Sequence, residues 1–322
     1  MHLPDLVSGV LSGDTRSLSR AITLVESTLP EHREKASSLI EQCIPHSGMS
    51  IRVGITGVPG VGKSTFINEL GKSLITEQGR KVAVLAIDPS SGRSGGSILG
   101  DKTRMGDITA LDGCFIRPSP ASNSLGGVAA KTRESIILCE AAGYDTILIE
   151  TVGVGQSETK VHGMVDVFLL LLLPGGGDEL QGIKRGIIEM SDILVVNKAD
   201  QYIEKARETA KQYDLALGLM PQSKVGWRTK VLMCSALTGE NVNVVWQSIL
   251  EMENILRENG VLQGNRSDQD LSWFNEFSTQ LLLDKINDRS DIGRQKMEFI
   301  EAIKNKKISP TMAARALADL LD

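Results

Sequence analysis

The segment IRVGITGVPGVGKST, residues 51–65, decides how this chain is expected to fold. An apolar run, Ile51–Thr56, leads into Gly57–Ser64, which fits the pattern G-x-x-x-x-G-K-[ST]. In that pattern the glycines let successive backbone N–H groups turn inward around phosphate oxygens. A helix that follows points the positive end of its dipole at the same oxygens. The segment therefore predicts a strand, a phosphate-binding loop and a helix, in that order.

Two side chains of this loop carry chemistry of their own. Lys63 places a compact cation on the outer phosphates, and the Ser64 hydroxyl is a hard oxygen ligand suited to Mg²⁺. The alternative is a glycine-rich turn with a helix cap, and the flanking strand and helix pattern argues against it. The residues predicted to contact the phosphates are Gly57, Val58, Pro59, Gly60, Val61, Gly62, Lys63, Ser64 and Thr65.

Beyond this loop, short apolar runs alternate with segments of helical period. The run Val82–Ile87 is apolar throughout, as in strands that helices cover on both faces. This predicts an α/β fold with a mostly parallel sheet flanked by helices. The predicted strands are Ile51–Thr56, Val82–Ile87, Thr146–Glu150, Val165–Leu173, Ile193–Asn197 and Val231–Cys234. The predicted helices are Lys63–Glu77, Gly127–Ala142, Glu179–Met190, Ala199–Gly218 and Asn241–Asn259.

Composition narrows the possible classes of function. The 322 residues carry 35 Lys and Arg against 40 Asp and Glu, a net charge of -5, which argues against a general nucleic-acid coat. The longest apolar run, Val167–Leu173, is far shorter than the about 20 residues of a membrane span. The four cysteines are scattered, without a C-x-x-C pair. We therefore expect a reduced, cytoplasmic protein that binds neither nucleic acid nor membrane.

A second motif, Asn197-Lys198-Ala199-Asp200, predicts which base is bound. In an N-K-x-D motif the Asp carboxylate accepts hydrogen bonds from guanine N1–H and its 2-amino group, which adenine does not offer. Alone, Asp200 has an alternative role as a helix N-cap. Ser235 and Ala236, after the last strand, are expected to offer backbone N–H groups to guanine O6. The residues predicted to hold GTP or GDP by its base are Asn197, Lys198, Asp200, Ser235, Ala236 and Leu237.

Acidic residues at strand ends predict a metal site in the same crevice. Glu150-Thr151-Val152-Gly153 stands where many GTPases have D-x-x-G, whose acid holds Mg²⁺ through water and whose glycine, here Gly153, senses the γ-phosphate. Asp88 ends a neighbouring strand, and Asp101 follows a glycine-rich stretch. Each acid alone fits a cap or turn as well, but three of them at one edge of the sheet indicate metal and water handling.

Together these motifs resemble the metallochaperone-type P-loop GTPases, whose phosphate-sensing motif begins with Glu. Segments 93–105, 150–158 and 174–184 are similar to the MeaB/ArgK branch, which includes methylmalonic aciduria type A proteins. The resemblance covers nearly the whole chain. It implies a GTP-hydrolysing chaperone of adenosylcobalamin-dependent methylmalonyl-CoA mutase, which gates cofactor loading and protects the mutase. It also implies a homodimer formed through the C-terminal helical arm.

By the same resemblance, Lys63, Asp101 and Glu150 are the expected catalytic residues. Ser64, Asp88, Asp101 and Glu150 are the expected Mg²⁺ ligands, direct or through water. In Ras-like proteins a glutamine directly follows the D-x-x-G glycine, but here Val154 occupies that position. Slow intrinsic hydrolysis, quickened by a partner, is therefore expected.

Gln181 and Lys184 lie in a glycine-rich segment, 174–184, that the resemblance marks as an additional switch toward the mutase. A solvated helix start is the alternative for both residues. The terminal helices also have two interpretations, packing on the chain's own sheet or pairing with a second copy. The resemblance favours pairing.

Three domains are expected: a helical extension over 1–48, a P-loop GTPase domain over 49–262 and a helical dimerisation arm over 263–322. Two other functions remain open on sequence grounds. A P-loop kinase would need an acceptor pocket with its own base, which residues 197–200 do not supply. A nickel metallochaperone usually carries Cys or His near the phosphate-sensing loop, whereas residues 151–163 contain only His162.

Overall fold

The computed structural model describes residues 2–87, 105–118, 125–151, 157–175, 185–219, 226–287 and 289–321. Two compact units follow one another along the chain, Met1–Arg266 and Ser267–Asp322. The first unit contains the N-terminal helices together with the sheet. The expected three-part division of the chain stays a prediction.

Seven strands of the described residues form one sheet in the order β3-β2-β4-β1-β5-β6-β7, with every neighbouring pair parallel. The strands are β1 Ile51–Gly57, β2 Val82–Ile87, β3 Cys114–Arg117, β4 Thr146–Thr151, β5 Val167–Leu172, β6 Ile193–Val196 and β7 Lys230–Met233.

Helices cover both faces of this sheet and make up the second unit. They are α1 Leu3–Leu11, α2 Thr15–Glu26, α3 Pro30–Cys43, α4 Lys63–Gln78, α5 Gly106–Thr109, α6 Leu125–Ala141, α7 Ser157–His162, α8 Arg185–Met190, α9 Ile203–Leu217, α10 Val242–Glu258, α11 Val261–Asn287, α12 Ser290–Lys304 and α13 Pro310–Ala318. Short 3₁₀ turns lie at Ile44–His46 and Asp319–Leu321. None of the helices in the described ranges combines the length and the apolar character needed to cross a membrane.

The core has two layers because the sheet is covered twice. On one face, side chains such as Ile147 pack with the N-terminal helices and α6. On the other face, β1 and β5 pack against α4 and α10, where Phe66 and Trp246 are buried. The predicted parallel α/β fold is therefore confirmed, and its fully apolar strands are buried on both faces as expected.

The carboxyl ends of the central strands meet at one edge of the sheet. β1 lies between β4 and β5, and Ile55 pairs with Glu150 across the β1–β4 ladder. The phosphate-binding segment leaves β1 at this edge, and the Glu150 segment leaves β4 beside it. In open parallel sheets, ligands bind in this crevice.

The predicted elements differ from the observed ones in a few places. Strand β3 was not predicted, because Cys114–Arg117 is only four residues long and pairs along a single edge. Helix α9 begins at Ile203 rather than at the predicted Ala199, because residues 198–201 form a turn. Asp14 caps α2, since its carboxylate accepts a hydrogen bond from the Ser17 N–H at 2.8 Å.

Candidate nucleotide-binding site

The loop after β1 has a backbone that only glycine adopts easily. Gly57, Gly60 and Gly62 have φ values of 150°, 78° and 98°. A Cβ on Gly57 would lie 2.6 Å from the Leu171 carbonyl oxygen, and a Cβ on Gly62 would lie 2.7 Å from Asn197 Nδ2. These glycines therefore permit both the turn and its close approach to neighbouring loops.

Lys63 opens α4 and is almost completely buried, with 8% of its surface exposed. Its ammonium group folds back on the loop, donating to the Gly57 carbonyl at 2.7 Å and to the Val58 carbonyl at 3.3 Å. Burial lowers the pKa of Lys63, while the nearby carboxylates of Glu150 and Glu158 oppose that shift. The cation is thus held inside the loop by carbonyl groups that phosphate oxygens can replace.

The next residue, Ser64, lies against the end of β4. Its hydroxyl donates to Glu150 Oε1 at 3.2 Å, and Glu150 is 3% exposed. A hydroxyl and a carboxylate are hard oxygen donors, so this pair fits Mg²⁺. Within the described ranges, no group of three or more His, Cys, Asp or Glu could hold a metal. Asp88 and Asp101, two of the predicted ligands, lie outside those ranges, and Mg²⁺ can also take phosphate and water oxygens as ligands.

A pair of buried threonines joins the same two strands. The Thr151 hydroxyl donates to Thr56 Oγ1 at 2.8 Å, and both residues are buried. No local pattern predicts this contact, since it depends on the β1–β4 pairing. It links the start of the phosphate-binding loop to the start of the Glu150–Gly153 segment.

Asn197 connects three loops at the edge of the sheet. Its Nδ2 donates to the Val61 carbonyl of the phosphate-binding loop at 2.9 Å, and its Oδ1 accepts from the Ala236 N–H at 2.9 Å. Lys198 has a φ of 60°, and its ammonium donates to the Gly60 carbonyl at 2.8 Å. The residues expected to hold the base are thus fixed to the residues expected to hold the phosphates.

Asp200 lies exposed on the turn after β6. Because α9 begins at Ile203 with Tyr202 as its N-cap, Asp200 does not cap that helix. The alternative role considered for its carboxylate is therefore wrong, and the carboxylate is available to a ligand.

The loop after β7 differs in detail from the expectation. The Ser235 N–H donates to the Glu240 carbonyl at 2.9 Å, and the Ala236 N–H donates to Asn197. Both N–H groups expected to serve guanine O6 are therefore engaged within the protein. A base oxygen would have to share the Ala236 N–H with Asn197, or use the next N–H, that of Leu237. The Leu237 side chain is 71% exposed.

Five of the predicted residues lie outside the described ranges. They are Asp88, Asp101, Gly153, Gln181 and Lys184. Their roles as metal, phosphate-sensing or switch residues stay predictions.

Glu158 is a buried acid near this site that was not predicted from the sequence. Glu158 is the second residue of α7 and is 1% exposed. Its charge acts on Lys63, raising the pKa of that ammonium. A sequence signal existed, because Glu158 closes the segment 150–158 that carries the family resemblance, but the acid matches no general GTPase motif.

The phosphate-binding loop, the Asn197–Asp200 segment and the parallel sheet together define a P-loop GTPase. Residues 18–291 match the family described as "Methylmalonyl Co-A mutase-associated GTPase MeaB". The chain belongs to this family, and it hydrolyses GTP to GDP and phosphate.

Alignments with named relatives cover nearly the whole chain. The Escherichia coli protein "GTPase ArgK" is 41% identical over 99% of this chain and 96% of its own length. The Mus musculus "Methylmalonic aciduria type A homolog, mitochondrial" is 45% identical over 98% of this chain and 78% of its own. A solved structure described as "LAO/AO transport system kinase" has a TM-score of 0.79 at 34% identity, covering 99% of this chain and 97% of that one.

Proposed function

We propose that this chain is a GTP-driven chaperone of an adenosylcobalamin-dependent methylmalonyl-CoA mutase, which gates cofactor loading and protects the mutase from inactivation. The observation that carries the proposal is the match of residues 18–291 to a mutase-associated GTPase family. The connected loops of the site support it, because a nucleotide there would contact segments from four strands at once. Such a site can couple the state of the nucleotide to the surface of the molecule.

In this mechanism the protein acts mainly by positioning charges. Lys63 exchanges the Gly57 and Val58 carbonyls for β- and γ-phosphate oxygens, which neutralises their charge. Ser64 and Glu150 would hold Mg²⁺, which when bound would screen the charge that develops during phosphoryl transfer. Asp88 and Asp101 are proposed as further ligands or water-orienting groups by the family resemblance.

Nucleotide recognition depends on the loops that Asn197 joins. The Asp200 carboxylate accepts from guanine N1–H and the 2-amino group, and the Leu237 segment closes the pocket beside the base. Because Asn197 contacts the Val61 carbonyl, a base in place also supports the phosphate-binding loop. GTP and GDP are the nucleotides that satisfy both ends of the site.

The chain segments that follow the nucleotide site are proposed to couple the state of the bound nucleotide to the mutase. Thr151 begins one of them, and its contact with Thr56 couples it to the phosphate-binding loop. Gln181 and Lys184 are proposed as the residues that report to the mutase.

The second unit is proposed to pair with a second copy of this chain. Along α11, apolar side chains stand exposed: Leu271 by 61%, Phe274 by 66% and Leu282 by 62%. Exposed apolar rows of this kind are typical of association surfaces. A cytoplasmic location is also proposed for this chain, although the murine relative is by its name mitochondrial.

The direct test combines the purified protein with methylmalonyl-CoA mutase in the presence of GTP, GDP, ATP or no nucleotide. We expect complex formation and adenosylcobalamin transfer to differ between GTP and GDP, and ATP to behave like no nucleotide. The readouts are co-elution of the two proteins and the absorbance of cobalamin. The proposal would be contradicted if the complex formed to the same extent with every nucleotide, or if no complex formed under any condition.

The kinase alternative has one observation in its favour, the similarity of this chain to a solved structure described as a transport system kinase. The two functions differ in where the γ-phosphate goes. A GTPase releases it to water without any acceptor, whereas a kinase transfers it to a second molecule. Phosphate release by the protein and GTP alone is the result expected of this GTPase, and turnover that requires an added acceptor would favour the kinase.

A further inference from the structure

Two buried threonines join the strands that lead into the nucleotide site. Thr56 directly precedes Gly57 in β1, and Thr151 is the last residue of β4. The Thr151 hydroxyl donates to Thr56 Oγ1 at 2.8 Å, and the two residues are 0% and 2% exposed. Because burial removes a hydroxyl from water, this hydrogen bond replaces contacts that water would otherwise supply.

The threonine pair lies on the opposite face of the sheet from the contact between Ser64 and Glu150. Successive residues of a strand point to opposite faces, so the side chains of Glu150 and Thr151 do so. Glu150 points toward α4, where the Ser64 hydroxyl donates to it at 3.2 Å. Thr151 points to the same face as Ile149, which belongs to the core layer that includes α6.

Contacts on both faces fix the orientation of the end of β4. Rotation of this strand end about its own axis would stretch the Thr151–Thr56 hydrogen bond on one face or the Glu150–Ser64 hydrogen bond on the other. The threonine pair thus restricts the direction in which the Glu150 carboxylate points. It does so from the side of the sheet that faces away from α4.

The residue type indicates that this pair does more than fill the core. The neighbouring strand β5 is apolar and buried throughout, from Val167 to Leu172. Valine has nearly the same shape as threonine, and replacing both partners of a buried hydrogen bond by apolar groups of the same shape is nearly neutral for stability or stabilising. Packing alone therefore gives no reason for hydroxyl groups at both Thr56 and Thr151.

We propose that Thr56 and Thr151 are positioning residues for GTP hydrolysis, which align Glu150 with the phosphate-binding loop. The inference rests on the part of the proposed function that places Glu150 in the site beside Ser64. It concerns the rate of the chemical step more than nucleotide affinity, because Lys63 and the loop amides bind phosphate whether or not β4 is aligned. Catalysis is sensitive to alignment, since a misplacement of about 1 Å can cost about 100-fold in rate.

The test measures GTP hydrolysis by the full chain under single-turnover conditions, and GDP affinity by calorimetry. Thr151→Val and Thr56→Val keep the shape of the side chain and remove its hydroxyl. For each variant we expect the hydrolysis rate to fall at least about tenfold. GDP affinity should change by less than about threefold, because the contacts of the loop with phosphate remain. Valine variants with the wild-type rate would overturn the proposal.

Serine variants separate the role of the hydroxyl from that of the methyl group. Thr151→Ser and Thr56→Ser keep the hydroxyl, so the hydrolysis rate should stay within about threefold of the wild type. They lose a buried methyl group, so their free energy of unfolding should fall. The hydrolysis rate should therefore follow the presence of the hydroxyl and not the stability of the variant. Serine variants as slow as the valine variants would contradict this.

The double variant with valine at both positions separates positioning from folding. It leaves no hydroxyl of the pair without its partner, so urea unfolding should show it at least as stable as either single variant. Its hydrolysis rate should nevertheless stay as low as theirs. A double variant that regains the wild-type rate would show that the single variants act only through the unpaired hydroxyl, and the proposal would be wrong.

The matched control is Thr146→Val, at the other end of β4. Thr146 is also buried, and its hydroxyl donates to Asp145 and accepts from Arg80. This variant should hydrolyse GTP at the wild-type rate. A loss as large as that of Thr151→Val would show that any buried hydroxyl of β4 has the same effect, which would remove the special role of the pair.

The Glu150→Gln variant distinguishes failure of this inference from failure of the proposed site. A slow Glu150→Gln variant, beside valine variants that hydrolyse GTP at the wild-type rate, would overturn the role of the threonines alone. A Glu150→Gln variant with the wild-type rate would contradict the proposed role of Glu150 itself, and the role of the threonines would fall with it.

Discussion

At the scale of single residues, the Asp200 carboxylate decides which base the site accepts. Asp200→Asn exchanges two acceptor oxygens for one acceptor and one donor, so guanine loses a charged hydrogen bond and faces an amide N–H instead. We expect GTP affinity to fall by about 100-fold, from a charged hydrogen bond worth about 1.5–3 kcal/mol and the group left unpaired. Xanthosine triphosphate, whose 2-oxo group accepts from the new amide, should gain affinity. Titration of both nucleotides by calorimetry checks this.

The matched control for that substitution is Asp214→Asn on α9. Asp214 is exposed and pairs with Arg228 away from the loops of the site. It should leave both affinities at wild-type values. Unchanged GTP affinity in Asp200→Asn, or equal losses for both nucleotides, would remove Asp200 from base recognition.

Individual residues also show which features could be predicted from the sequence and which could not. A contiguous motif such as Gly57–Ser64 could be recognised because its spacing is itself the geometry of the loop. The partners of Asn197 could not, because Val61 and Ala236 approach it only after β1, β6 and β7 align. For the same reason the internal bonds of the Ser235 and Ala236 N–H groups were missed. Glu158 was missed because its burial against β1 and β4 depends on tertiary packing.

At the scale of elements, long apolar runs could be predicted and short ones could not. Val82–Ile87 was predicted with its observed bounds, because six buried positions in succession leave little ambiguity. Strand β3 has four residues and one neighbour, which gives almost no signal in sequence. Strand ends elsewhere shifted by one or two residues because ladder pairing, rather than apolarity, sets where a strand stops.

A buried ion network at the opposite end of the sheet joins elements that are far apart in sequence. Arg266, in α11, donates to the Asp166 carboxylate and to the Gly48 and Ser50 carbonyls. Arg52 on β1 donates to Glu140, at the end of α6, at 2.8 Å. Burial alone would raise the pKa of Glu140, but hydrogen bonds from Arg52, the Ser50 hydroxyl and the Gly48 N–H hold it below its usual value. No local sequence motif predicts such a network, because its residues come from five separate segments of the chain.

Asp192, which directly precedes β6, is an acid that makes stability depend on pH. Burial raises the pKa of Asp192 to about 7, although the Phe168 N–H donates to it. The folded state therefore binds this proton more tightly than the unfolded state, and the stability it contributes is lost as pH rises toward 7. We expect the free energy of unfolding of the wild type, relative to Asp192→Asn, to fall by about 1–3 kcal/mol between pH 5 and 7.

Urea unfolding of both proteins at pH 5, 6, 7 and 8 measures that difference. Above pH 7 the difference should become constant. Burial also raises the pKa of Glu134 to about 7, but this acid is present in both proteins and cancels. The exposed Asp112→Asn is the control and should run parallel to the wild type. A parallel profile for Asp192→Asn would show that Asp192 has no part in the pH dependence.

At the scale of the whole molecule, the chain is one nucleotide-binding unit followed by a helical unit, Ser267–Asp322. The helical unit is small, and a unit of this size buries only enough apolar surface for marginal stability. Its helix α11 carries Phe274 and Leu282 largely exposed to water. The proposed pairing with a second copy would cover these side chains.

The proposed association predicts that Phe274→Arg converts a dimer into a monomer. A charge placed in an apolar interface must be desolvated without a partner, so we expect the dissociation constant to rise by at least about 100-fold. Light scattering coupled to size exclusion measures the mass directly. Ser272→Arg adds the same charge on the opposite side of α11 and should remain a dimer. Because the nucleotide site lies in the first unit, GTP affinity should stay at its wild-type value in both variants. A wild type that is already monomeric, or a Phe274→Arg variant that remains dimeric, would contradict this assignment of α11.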